Sequence, residues 1–221
     1  HAHARIKSID TSHAEAFPGV HAVVTAADFP KITSNVIDAG EAGQIDMQDV
    51  ADNCIAREKV FYDGHAVAAV AADNAHIAEE AANLIQVDYE LLDPVMDVRS
   101  AMADNAPVLH DDFLPGAFLA PTEKALPNAS KLELAMGDVS TGFDEADIVI
   151  EREFDTAMVH QGYIEPHNAT ATWDEEDRIT IWTSTQGSFP TRRQTAGILR
   201  VPDSSVKVIP LEIGGGFGGK I

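Results

Sequence analysis

Apolar and polar positions along the chain switch repeatedly between a period of two and a helical period, and the switches outline its elements. Near the N-terminus, Ala22-Val23-Val24-Thr25 reads as a short strand reached through the turn Phe17-Pro18-Gly19. Ala66 to Ala72 is a continuous apolar run, the pattern of a strand buried on both faces. Asp73 then offers a helix N-cap, and Ile77, Ala81, Leu84 and Ile85 recur on one face at helical spacing. From Gln86 to Leu92 the period returns to two, with Val87, Tyr89 and Leu91 alternating against Asp88 and Glu90. Strand, helix and strand in this order predict one crossover packed on a small mixed sheet.

Residues 111–129 contain Pro115, Gly116, Pro121 and Pro127 without a period and read as a linker. Beyond it, Lys131 to Leu134 predicts a strand, and Gly137-Asp138-Val139 a turn into a short helix around Thr141 to Glu145. Ile148 to Phe154, Ala169 to Trp173 and Ile179 to Thr183 alternate as strands, the last two joined by Asp174-Glu175-Glu176-Asp177. That acidic turn lacks the glycine and terminal glutamate of a calcium loop, so it reads as a solvated hairpin tip. Thr191 to Leu199 is helical, ended by Val201-Pro202-Asp203, and Val206 to Ile213 reads as a strand. The organisation expected is a first domain over 1–110, a linker over 111–129 and a second domain over 130–221.

Composition narrows the function. A formal net charge of −21, from 15 Lys and Arg against 36 Asp and Glu, argues against nucleic acid and anionic membrane surfaces. The acidic residues are scattered, as on a well-solvated surface. The single cysteine, Cys54, excludes an internal disulfide, cannot hold an iron–sulfur cluster alone, and is expected to be a buried inert thiol. No apolar stretch approaches the ~20 residues that span a bilayer, and a cytoplasmic location is expected.

The predicted strand at 206–213 runs into Gly214-Gly215-Gly216-Phe217-Gly218-Gly219-Lys220, a loop whose backbone is built for close approach. Gly214, Gly216 and Gly219 fit the dinucleotide fingerprint, but no helix follows within the chain to receive a pyrophosphate. The phosphate-loop pattern through Gly219 and Lys220 also fits, but Ile221 stands where a hydroxyl would hold Mg²⁺. A glycine-rich turn without a ligand is the plain alternative.

GGGFGGK is similar to the molybdenum-site loop in the large subunit of the xanthine dehydrogenase and aldehyde oxidase family. His160-Gln161-Gly162-Tyr163-Ile164-Glu165-Pro166 resembles the family segment ending in Glu-Pro, and Ile181 to Gln186 resembles its W-T-S-T-Q signature. Phe61 to Ala72, followed by Ala78 to Ala82 and Val87 to Glu90, resembles the Y-x-G-x-x-V-A-x-V-A region of the α/β hammerhead domain. His1 to Ile6 is similar to a family segment S-P-H-A-H-A-R-I entered in its middle, so the N-terminus is expected to be truncated.

The resemblance implies an α+β fold, with an α/β hammerhead domain followed by the beginning of a mixed α/β molybdopterin-binding domain. It implies a fragment or subunit of a molybdenum hydroxylase, which inserts oxygen from water into the C–H bond of an aldehyde or N-heteroaromatic. Molybdenum–molybdopterin, with the cytosine dinucleotide form as one version, would be the cofactor. FAD and 2Fe-2S clusters would sit on partner chains, alongside the remainder of the large subunit.

Residue by residue, the loop positions Gly215, Gly216, Phe217, Gly218 and Gly219 would contact the cofactor, with the N–H groups of Phe217 and Gly218 donating to its oxo ligand. The Phe217 ring would wall the substrate channel, unless it is a core aromatic. Gln161 is the glutamine expected near the metal, a structural amide being the other reading, and Gln186 is either a cofactor contact or an amide satisfying loop backbone.

No residue here is a direct metal ligand or the general base, which is expected beyond residue 221, so the isolated chain should be inactive. His160 and His167 flank Glu165 without zinc-like spacing, and Glu165 is expected to tie loop backbone and not to act as a base. Purine-oxidising members place a glutamate after Gly-Gly-Lys; Ile221 in that place points to an apolar substrate. The alternatives are a nucleotide-binding protein using the same loop and a non-catalytic scaffold or interaction module.

Overall fold

The protein is described here by a computed structural model covering residues 1–32, 36–38, 44–110, 128 and 136–220. Its N-terminal part contains β1 (Ala4–Asp10), α1 (Ser12–Glu15), β2 (Val20–Thr25), β3 (Val36–Asp38), β4 (Gln44–Asp46) and α2 (Met47–Cys54). It continues with β5 (Lys59–Val60), β6 (Ala68–Ala72), α3 (Ala75–Ala82), β7 (Gln86–Leu91) and α4 (Val98–Met102).

The pattern over 66–92 marks a strand, a helix and a strand, and all three form. Their connection differs from the expected crossover. β6 pairs antiparallel with β2, while β7 pairs antiparallel with β1 in a separate sheet of order β5-β1-β7. Helix α3 therefore carries the chain from one small sheet to another. β6 is not buried on both faces, since its residues alternate between half-buried and exposed. A two-stranded ribbon covered by α3 on one side leaves its other side to solvent. Ala4, Ala56 and Val60, backed by Ile6, Val67 and Tyr89, form the core under the three-stranded sheet.

The helix cap also moves by one residue. Asn74, not Asp73, caps α3, its side-chain oxygen accepting the N–H of Ile77 at 3.0 Å. The Asp73 carboxylate pairs instead with His21 Nε2 at 2.7 Å. Cys54, expected to be buried, is exposed at the end of α2, where the chain leaves the helix. Packed neighbours still desolvate its thiol and push its pKa up, which disfavours the reactive thiolate. His65 is buried and satisfied on both nitrogens: Nε2 lies 2.9 Å from the Asp52 carbonyl and Nδ1 accepts the Phe61 N–H at 3.3 Å.

The C-terminal part contains α5 (Val139–Asp144), β8 (Ala169–Trp173), β9 (Ile179–Thr183), α6 (Ser188–Leu199) and β10 (Val206–Pro210). The short helix expected around Thr141 to Glu145 forms as α5 and starts two residues earlier, because Asp138 caps it by accepting the Thr141 N–H at 3.0 Å. β8 and β9 form the expected hairpin, and Asp174 Oδ1 accepts the N–H groups of Glu176 and Arg178 across its tip. The crossover lies here: β9, α6 and a parallel β10 make one β-α-β unit in a sheet of order β10-β9-β8. Ile179, Ile181, Ala196 and Val206 fill the space between that sheet and α6. The helix starts three residues before Thr191 because Pro190 falls in its first turn, where its missing N–H costs nothing.

Ile148 to Phe154, expected as a strand, pairs with no described strand. Ile148 and Phe154 are 79% and 86% exposed. Alternation fits a segment for a sheet face, but a ladder needs a neighbour, and none among the described residues supplies it. The strand predicted at Lys131 to Leu134 and the linker lie outside the described residues, except Asn128, which accepts the Leu109 N–H and donates to the Pro107 carbonyl. The two parts touch through α2 and α6, and Arg99 of α4 also pairs with Glu153. Met47, fully buried with Ile32 and Ala51, packs against Ile198 and over Gly197.

Candidate functional site

The glycine loop leaves β10 and folds back over the end of β9 and the segment 161–165. Two side chains hold it. Glu165 Oε2 accepts the Gly214 N–H at 2.6 Å and the Lys220 ammonium at 2.6 Å. Gln186 Oε1 accepts the N–H groups of Gly218 at 2.9 Å and Lys220 at 3.3 Å, which orients its amide with oxygen toward the loop. The Gln186 N–H and the Thr185 hydroxyl then donate to the Lys220 carbonyl at 2.7 and 3.2 Å. The W-T-S-T-Q end of β9 is thus the scaffold for the loop.

Glycine serves two separate purposes here. Gly215 and Gly218 stand at φ of 92° and 90°, and Phe217 between them is held at 49°. Gly216 admits a neighbour, since a Cβ there would lie 2.5 Å from Gln186 Oε1. Much of the close approach that the glycines allow is to the chain's own side chains, Gln186, Glu165 and Tyr163.

Glu165 binds loop backbone, as its sequence context implies. The Lys220 hydrogen bond and then the Gly214 N–H hold its carboxyl below the usual carboxylate range, against the opposing effect of burial. Lys220 is almost fully buried, with its ammonium 5.0 Å from the Tyr163 ring centroid. Tyr163 OH lies 2.6 Å from His167 Nε2, and His160 Nδ1 accepts the Gly162 N–H at 3.0 Å. The two histidines thus serve local contacts. Among the described residues no three His, Cys, Asp or Glu side chains gather as a metal site would need.

The predicted site residues divide accordingly. Gln186 and Gly215 to Gly219 come together, held between Gly214 and Lys220 as one clamped unit. Gln161 reaches its edge, with its amide carbon 3.2 Å from where a Cβ of Gly219 would stand. The Gly218 N–H, expected to face a ligand, is instead taken by Gln186. The Phe217 N–H, the Gln161 amide and the Gln186 NH₂ have no hydrogen-bond partner among the described residues, and the Phe217 ring is 75% exposed. Ile221 lies outside the described residues.

Sequence reasoning missed the Lys220–Glu165 pair and the Tyr163 ring beneath the ammonium. The two charges are 55 residues apart, and no local spacing signals them. The sole hint is a lysine at the end of an otherwise uncharged loop. A cavity of about 300 Å³ in the N-terminal part, lined by Lys31, Asp52, Arg57 and Phe61 among others, includes no loop residue.

This donor set suits a group that brings its own metal ligands. Free N–H and amide donors beside a glycine cradle can hydrogen-bond oxygens and ring heteroatoms, and no thiolate or imidazole cluster among the described residues competes for a bare metal ion.

Residues 122–221 match the family model described as molybdopterin cofactor-binding domain, and residues 1–93 match the aldehyde oxidase and xanthine dehydrogenase a/b hammerhead domain. The chain is 34% identical over 248 residues to a probable hypoxanthine oxidase of Escherichia coli (strain K12), covering 100% of this chain and 25% of that protein. It is 35% identical over 226 residues to the carbon monoxide dehydrogenase large chain of Afipia carboxidovorans, covering 100% and 27% respectively. Among solved structures, the aldehyde oxidoreductase from Desulfovibrio gigas superposes with a TM-score of 0.79 at 27% identity, over 99% of this chain and 23% of that one.

The chain thus spans about a quarter of the length of these relatives. Two ordered domain matches over most of the chain, together with the clamped glycine loop, lead to one conclusion: the chain belongs to the xanthine dehydrogenase and aldehyde oxidase family, as an N-terminal portion of its molybdopterin-binding large subunit.

Proposed function

We propose that the chain forms the hammerhead domain (1–110), the linker (111–129) and the first segment (130–221) of the large subunit of a cytoplasmic molybdenum hydroxylase. The observation that carries this reading is the loop 214–220, fixed at both ends yet leaving the Phe217 N–H without a partner among the described residues, within the residues matched by the molybdopterin-binding family. When bound, the molybdenum–molybdopterin cofactor, in its plain or cytosine dinucleotide form, supplies the redox chemistry that transfers oxygen from water to a substrate carbon.

The residues of this chain bind and orient. The Phe217 N–H, the Gln186 NH₂ and the Gln161 amide are the donors that would hold the cofactor. The Phe217 ring presents an apolar face to the substrate side and excludes water there. Glu165 is unsuited to accept a proton, because one of its oxygens already holds two donors and its pKa is lowered. As the family resemblance implies, the general base belongs to the remainder of the large subunit. The exposed apolar residues between Ile148 and Ile164 support the same view, since that remainder would cover them. FAD and 2Fe-2S clusters reside on partner chains, Cys54 being the only cysteine here.

Ile221, following Gly-Gly-Lys, favours an apolar aldehyde or N-heteroaromatic over xanthine, since an apolar contact leaves polar ring groups unpaired. The test is metal and pterin analysis of the intact enzyme from its native host, followed by assay of xanthine, benzaldehyde and isoquinoline with an artificial electron acceptor. Molybdenum and pterin are expected, with kcat/KM lowest for xanthine. Absence of both would overturn the cofactor reading, and a kcat/KM highest for xanthine would overturn the inference from Ile221 alone.

A further inference from the structure

A single oxygen atom joins the two ends of the glycine loop. Glu165 Oε2 holds the Gly214 N–H, where the loop begins, and the Lys220 ammonium, where it ends. The lysine side chain is only 2% exposed and is pressed against Tyr163. A buried ammonium needs a paired charge, and the Glu165 carboxylate at 2.6 Å supplies it. Space at the loop start is equally restricted, since a Cβ on Gly214 would come within 2.7 Å of Glu165 Cβ. Between these anchors the backbone passes through three consecutive unusual conformations or close approaches at Gly216, Phe217 and Gly218.

We propose that Glu165 is a positioning residue, whose double attachment to Gly214 and Lys220 sets the curvature of the loop and so keeps the Phe217 N–H without an acceptor among the described residues. The inference rests on the cofactor reading for what that N–H meets, but not for the clamp itself. A plain ion pair would require only opposite charges at 165 and 220. The double attachment additionally requires an acceptor at 165 for the Gly214 N–H, and this difference makes the role testable.

The experiment uses the intact enzyme carrying Glu165→Gln, Glu165→Ala or the exchange Glu165→Lys with Lys220→Glu. Amide hydrogen exchange over 214–220 is read by mass spectrometry beside molybdenum content and the KM against kcat split. Glu165→Ala is expected to raise loop exchange on the order of tenfold without changing exchange in the β8–β9 hairpin. Glu165→Gln, which keeps an acceptor oxygen, should recover part of the protection. The charge exchange should not, because it places an ammonium against the Gly214 N–H. Restored protection in the exchanged pair would overturn the double attachment, as would unchanged loop exchange in Glu165→Gln and Glu165→Ala. Loosening of loop and hairpin alike would show a general structural role and also overturn it. Loss of the cofactor reading has a separate signature: wild-type enzyme without molybdenum whose loop exchange still depends on Glu165.

Discussion

At the scale of single residues, the loop separates two reasons for glycine that look the same in the sequence. Gly216 is needed for space: its Cβ would meet Gln186 Oε1 at 2.5 Å, and Gln186 cannot retreat without releasing Gly218 and Lys220. Gly218 is needed for conformation: it stands at φ 90°, and a Cβ there would meet nothing within 4 Å. Gly216→Ala should therefore cost the loop two hydrogen bonds, on the order of 2 kcal/mol. Gly218→Ala should cost only the left-handed backbone penalty, about 1 kcal/mol. Amide exchange of residues 214–220 in the intact protein measures both, and an equal or reversed order would contradict this division.

At the scale of elements, end chemistry decides more than periodicity. α3 carries only Ile77 and Ala81 of the predicted apolar stripe, and the residue that starts it is Asn74, because its side chain reaches the Ile77 N–H while Asp73 is drawn to His21. Replacing a capping Asn by Ala costs about 1 kcal/mol, whereas an exposed carboxylate–imidazole contact contributes about 0–1 kcal/mol. Asn74→Ala should thus lower the protection of the α3 amides more than Asp73→Ala does, as read by exchange of Ala75–Ala82. At the other end the helix stops at Ala82, so Leu84 and Ile85 follow in a turn and not on the helix face. Leu84 is exposed there and Ile85 only half-buried, so the apolar spacing ran past the end of the helix without marking a buried face.

At the scale of the whole molecule, α2 and α6 join the N-terminal and C-terminal parts through one fully buried side chain, Met47. Gly197 makes this contact possible, since a Cβ there would stand 3.0 Å from the Met47 methyl. Met47→Ala is expected to destabilise the protein by about 2–5 kcal/mol and to uncouple the two parts, so that one thermal transition becomes two. Retention of a single transition with an unchanged midpoint would show that other contacts carry the coupling.

Where the outcome depends on neighbours in the chain, the sequence alone was sufficient. The β8–β9 hairpin, the short helix α5, the strand leading to the glycine loop and the order of family motifs were all legible, because alternation and turn chemistry act over a few residues. The single cysteine likewise ruled out a disulfide from composition. Partnership was decided only by the tertiary structure. β7 joins β1 and not β6, the crossover lies at α6 and not at α3, and Ile148 to Phe154 has no described ladder despite its alternation. In the site, the sequence supplied the loop, Gln161 and Gln186, but not the Lys220–Glu165 closure or the capture of the Gly218 N–H. A period reports which face of a segment is apolar. Which distant segment covers that face, and which charge finds which, depends on how the whole chain closes and packs, and no spacing within one segment carries that information.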